Sequence, residues 1–197
     1  MLFDLVREER FARDHEQWER LKACYTADSR VRVTWFTGTG AAFADASVAQ
    51  VRGPSTGRHL MFPMDARIEK DRAVVESDAM IQVRMTKDEV EFDLETCCRF
   101  LSWARRTAEG WRLVTFDCIY LKDTLRTLDP EVQLPIDWQD IAKRRPSYRF
   151  LDWLLGASGY PIDQNLAGID RPETVAALYA EAEDWLEGRV DTPALPA

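Results

Sequence analysis

The chain has 197 residues, 46% of them hydrophobic, with seven tryptophans, enough apolar material for one domain with a real core and an elaborate tail. A formal charge of −8 and a pI near 4.9 repel phosphate backbones, which excludes nucleic-acid binding as a primary role; the one dense basic run, Lys143-Arg144-Arg145, is too short to reverse that. Four cysteines without CxxC spacing and only two histidines exclude a disulfide framework and a zinc site, and no apolar run approaches the roughly 20 residues of a membrane-spanning helix.

Cysteine usage fits a reducing compartment. Met1 to Arg10 lacks the apolar core of a secretion signal, so a cytoplasmic protein with no membrane partner is expected.

In chain order, Leu2, Leu5, Val6, Phe11, Ala12, Trp18, Leu21 and Tyr25 recur at helical spacing, which predicts two helices within 2–25 and a bend near Asp14 to Gln17. Asp28-Ser29 reads as a turn, Arg30 to Phe36 as an alternating strand, Thr37 to Gly40 as a break, and Ala41 to Val51 as a short helix. A turn-prone Gly53-Pro54-Ser55-Thr56-Gly57 stretch precedes four extended segments, at about 59–69, 73–86, 90–104 and 111–122. Their short connections predict an antiparallel meander, and their length predicts curvature at bulges.

Beyond residue 123, prolines mark irregular chain. Arg149 to Leu155 reads as a helix ended by Gly156. Pro172 to Glu187 reads as another, with Asp170 as its cap. The last seven residues, from Asp191, read as frayed.

This order is α+β: N-terminal helices wrapped by a curved antiparallel sheet into a cone with an interior cavity, over 1–125. A helical extension, 126–197, packs on the same domain or on a neighbouring subunit.

Histidine is the side chain whose ordinary pKa lies nearest neutrality, and a carboxylate-held neutral imidazole is a general base. His59 opens the first meander strand, whereas His15 sits in a charged helix and reads as solvated. The pair Asp14 and His59 is the expected acid–base site. Tyr25 is a phenol able to donate to a departing or enolising oxygen, and Trp35 a stacking wall for an aromatic ligand. Met61 and Met80, adaptable apolar side chains, are expected among the substrate-binding residues, with Arg99 and Asp117 as charged candidates on the later strands. No metal and no cofactor are expected.

Several stretches carry a family resemblance: Phe11 to Leu21 with an aspartate four residues before a tryptophan, Tyr25-Thr26-Ala27-Asp28, Val33-Thr34-Trp35-Phe36, Thr56-Gly57-Arg58-His59 and Gly110-Trp111-Arg112-Leu113. Together, over about residues 2–125, they resemble the SnoaL-like branch of the nuclear transport factor 2-like superfamily. The resemblance implies a cofactor-independent lyase, a dehydratase or small-carbonyl-eliminating enzyme or an isomerase, acting on an apolar aromatic or polycyclic substrate. It places Asp14 and His59 at the histidine–aspartate dyad of relatives such as scytalone dehydratase. Scytalone dehydratase has a second active-site histidine on a later strand, and this chain has none after His59. The resemblance also implies a homo-oligomer, dimer or trimer. The alternative reading is a non-catalytic ligand-binding or assembly module of the same fold, like the small subunit of ring-hydroxylating dioxygenases.

Overall fold

The computed structural model describes residues 1–51 and 56–191. The expected turn centred on Gly53 to Ser55 and nearly all of the expected frayed end lie outside the described residues. Two helices, α1 (Leu2–Asp14) and α2 (Trp18–Ala23), open the chain and break where predicted, at a Glu16 of positive φ. Strands β1 (Tyr25–Val33) and β2 (Phe36–Gly38) follow, then α3 (Gly40–Val51). The meander is β3 (Thr56–Glu69), β4 (Arg72–Lys87), β5 (Val90–Thr107) and β6 (Gly110–Thr127). Three shorter helices complete the chain: α4 (Trp138–Ile141), α5 (Arg149–Ala157) and α6 (Pro172–Leu186).

The six strands form one curved, unclosed sheet in the order β2-β1-β6-β5-β4-β3. The meander is antiparallel as expected, but β1 adds to β6 in parallel, so the sheet is mixed. β1 also starts five residues before the predicted Arg30. Asp28-Ser29 is not a turn; a register shift between Tyr25 and Arg30 absorbs it within the strand. The Ser29 hydroxyl there accepts the Gly40 N–H at 3.0 Å, which anchors the start of α3. The long strands bend where register shifts interrupt pairing: at Met61/Met64 in β3, and in β6 at Leu121 and Val114, the extra residues opposite Cys97/Cys98 and Trp103/Ala104 of β5.

Bends and alternation give the sheet a cavity face and an outer face, and both are covered. On the cavity face, Phe92, Phe100, Phe116 and Tyr120 pack with residues of α1, α2, α3 and α5. On the outer face, Val74, Leu101, Trp103 and Ile119 pack against Leu178, Ala182 and Trp185 of α6. Helices therefore cover two faces, not the one face that the element order implied, because α6 folds back onto the far side of this chain's own sheet.

Two capping details also differ from expectation. Asp170 does not cap α6, whose N-cap is Arg171; its carboxylate instead accepts from Arg145 and from Ser147 at 2.5 Å. Gly156 lies within α5 rather than ending it. The N-terminus of α5 is held from β6, where Asp123 accepts the N–H groups of Phe150 and Leu151 at 2.7 and 2.9 Å.

Trp185 is fully buried and stacks on Trp103 with ring centroids 5.6 Å apart. Replacing Trp185 by Ala removes the side chain that seats α6. The expected loss is about 3–5 kcal/mol of unfolding free energy, read from the urea midpoint.

Candidate active site

Helix α1 turns an unusual face inward. Leu2, Leu5 and Val6 are buried as an amphipathic helix requires, but the same stripe continues through Glu9, Arg10, Arg13 and Asp14, all buried. Buried charges need partners. Glu9 grips Arg10 through Nε at 3.1 Å and Nη2 at 2.5 Å and also accepts the Tyr25 hydroxyl at 2.8 Å. The Arg10 guanidinium lies 4.6 Å from the Phe116 ring centroid and 5.4 Å from that of Phe100.

At the end of α1, the Asp14 carboxylate meets the start of β3. One oxygen accepts from His59 Nδ1 at 2.6 Å and the other from the His59 backbone N–H at 2.7 Å. The structure thus brings together the two residues the sequence paired, 45 positions apart. With Nδ1–H given to the carboxylate, Nε2 carries the lone pair. Arg10 Nη1 stands 3.4 Å from it.

Burial, then the Arg10 charge, pull the His59 pKa down to about 4, against the opposing pull of Asp14. Burial works against the Asp14 carboxylate, yet the bonds from His59 and the nearby Arg10 hold it below the usual carboxylate range. At neutral pH the dyad is a neutral imidazole on an ionised carboxylate.

His59, Asp14 and Arg10 face a cavity of about 620 Å³, a size that accommodates a small organic molecule. Trp35, Phe100, Phe116 and Tyr160 supply aromatic wall, and Leu151 and Leu154 of α5 close another side. The extension after residue 126 therefore contributes to the cavity itself. The rings of Trp35 and Tyr160 meet edge to face at 5.5 Å.

The other residues singled out from sequence are placed elsewhere. Tyr25 does not line the cavity; its hydroxyl is spent on Glu9, and burial pushes its pKa well above the ordinary phenol value. Met61 is half-buried against the core, and Met80 alternates with the cavity-lining Ile81 and lies on the opposite face of β4, whereas Met85 reaches the cavity. Arg99 lies on the outer face, bonded to the Tyr179 hydroxyl at 2.9 Å and paired with Glu76 at 3.2 Å and Asp78 at 3.4 Å. Asp117 is buried on that same face between Arg30 and Arg32, at 3.2 and 3.0 Å. Met61, Met80, Arg99 and Asp117 are thus not cavity residues. His15 is exposed and stacks on Phe11.

Sequence reasoning missed Glu9, Arg10 and Arg13. Their signal was present: four charged residues at positions 9, 10, 13 and 14 continue the apolar stripe of α1 where aliphatic residues belong.

A helix-filled curved sheet around an aromatic-walled cavity is the architecture of the nuclear transport factor 2-like class, and the comparisons agree. The sequence profile of the SnoaL-like domain matches residues 4–117, and the chain belongs to that family. A PEP2-like protein of Fusarium vanettenii is 27% identical over 188 residues, covering 89% of this chain and 80% of the relative. Among solved structures, hexachlorocyclohexane dehydrochlorinase LinA-type3 from Novosphingobium barchaimii LL02 superposes with a TM-score of 0.55 at 15% identity, over 68% of this chain and 92% of the other. A candidate scytalone dehydratase from Novosphingobium aromaticivorans DSM 12444 gives 0.54 at 15%, over 68% and 93%. At such identities these likenesses speak for the fold. Among the described residues no helix is long and apolar enough to cross a membrane.

Two expectations follow. The folded-state pKa of His59 lies below its unfolded value near 6.5, so between about pH 6.5 and pH 4 the unfolded chain takes up a proton that the folded one refuses. Stability therefore drops as pH falls through that window, by on the order of 3 kcal/mol, and the lowered Asp14 adds a further loss at more acid pH. Urea midpoints across pH should show the slope, and His59→Gln should flatten it. Separately, Tyr25→Phe leaves Glu9 without one donor and should cost about 1–3 kcal/mol in the same assay.

Proposed function

We propose that this protein is a cofactor-independent lyase that acts on an apolar aromatic or polycyclic small molecule, with His59 as general base and Asp14 as the residue that orients it. One observation carries the reading. Asp14 binds both the ring Nδ1 and the backbone N–H of His59, so the remaining ring nitrogen is the acceptor, facing Arg10 Nη1 at 3.4 Å at the wall of a cavity of substrate size.

In this mechanism Nε2 takes a proton from a carbon or hydroxyl of the substrate. The released electron pair forms a new double bond as water or a small carbonyl fragment departs, or forms an enol in an isomerisation. Asp14 stabilises the imidazolium, which then returns its proton to the departing or enolic oxygen. Arg10 takes the place first assigned to Tyr25. Its guanidinium, held by Glu9 and 3.4 Å from Nε2, points donors to where charge gathers on that oxygen. A second histidine is then not required. Trp35, Phe100, Phe116 and Tyr160 give an aromatic substrate faces and edges to pack on. A pure assembly module would fill this space with side chains; an open cavity beside a hydrogen-bonded dyad favours the enzymatic reading over that alternative.

Aromatic alcohols and steroid-like compounds that raise the melting temperature are the compounds to assay for turnover by mass spectrometry. On any compound that turns over, His59→Ala should lower kcat/KM by at least ~100-fold, with a comparable loss in Asp14→Asn. Wild-type rates in His59→Ala would remove this mechanism.

A further inference from the structure

The cavity holds a buried cation that the elimination chemistry does not use. Arg13 lines the cavity and is only 8% exposed. Among the described residues, its one hydrogen-bonded side-chain partner is the neutral Gln50 amide oxygen, bound through Nη2. The acid in ion-pair range is Asp14, 3.9 Å from Nη1, and both Asp14 oxygens are already committed to His59. Arg10, one turn earlier on the same face, is paired directly with Glu9 through two hydrogen bonds. Arg13 has no such carboxylate. Burial and the neighbouring Arg10 lower its pKa to about 10, as expected for a cation short of negative charge. The chain as a whole carries −8, so an anion entering this cavity must be drawn by local cations.

We propose that Arg13, with Arg10 beside it, is the anion-binding end of the cavity, and that the substrate is an aromatic or polycyclic carboxylate. This rests on the lyase reading for its catalytic consequence. The planar guanidinium fork matches a carboxylate in two parallel hydrogen bonds, and Arg13 has donors to spare. The rest of the ligand then lies along the aromatic wall. The same site tunes the base. Arg10 and Arg13 are both among the charges that depress His59. A carboxylate between them offsets those charges, so the base strengthens when its own substrate is bound.

The test compares 2-naphthoate with its neutral near-isostere 2-acetylnaphthalene, by calorimetry on the intact protein. Naphthoate should bind at least ~10-fold more tightly. Arg13→Met should reduce that gap to about twofold or less while ketone binding persists; Arg67→Gln, on the exposed outer surface, should keep it. In the wild type, the His59 midpoint followed by NMR should rise by about one pH unit with naphthoate and stay in place with the ketone. Equal affinity for the two ligands in the wild type, or an unmoved His59 midpoint under saturating naphthoate, overturns the proposal even if Arg13→Met does not fold. A full anion preference in a folded Arg13→Met also overturns it. These outcomes separate from the lyase reading: loss of anion preference with His59-dependent turnover intact removes the anion site alone. An Arg13-dependent preference with turnover indifferent to His59 keeps the site and removes the elimination chemistry.

Discussion

One carboxylate ties the architecture to the chemistry. Asp14 terminates α1 and reaches across to β3, where it accepts two hydrogen bonds from a single residue, one from the ring and one from the backbone of His59. The backbone bond fixes the strand against the helix; the ring bond fixes the tautomer and the direction of the imidazole. Such a bidentate clamp leaves His59 little freedom to reorient. Burial first, and then the Arg10 charge, hold the imidazole neutral at physiological pH against the opposing pull of Asp14.

The second constraint is the burial of charge along α1. An amphipathic helix that ends in Glu9, Arg10, Arg13 and Asp14 on its inward stripe cannot be stabilised by apolar burial alone there. Pairing of Glu9 with Arg10, Asp14 with His59, and the two aromatic rings beneath Arg10 make the arrangement tolerable. Arg13 remains the under-compensated member. A buried polar group left partly satisfied in a native structure calls for an explanation, and a ligand is one. Here that group lines an aromatic-walled cavity.

The C-terminal region is part of the same design. α5 closes the cavity with Leu151 and Leu154 and is held in place by Asp123 on its N-terminal N–H groups. α6 lies on the opposite side, where Trp185 stacks on Trp103 and Glu181 pairs with Arg30, itself buried with Asp117. The family profile stops at Asp117, and both helices lie beyond it, α5 against the cavity and α6 on the far face of the sheet.

Local pattern made the strands, the helix break near Asp14 and the α+β class legible from sequence, because hydrophobic period and turn residues are properties of neighbours in the chain. The pairing of Asp14 with His59 was legible through the family motifs. What stayed hidden was direction. Alternation sorts the residues of a strand into two faces but does not say which face looks into the cavity. With α6 covering the far face, Leu101 and Trp103 are as buried as Phe100, so apolar content could not break the tie, and the charged candidates Arg99 and Asp117 lie on the face away from the cavity. Tyr25 failed for a related reason: its hydroxyl was claimed by Glu9, a partner 16 residues away whose inward orientation exists only once α1 docks on the sheet. Sequence alone thus determined the elements and the residue types at the dyad. Tertiary packing decided which charges line the cavity, because burial and long-range pairing arise only when distant segments meet.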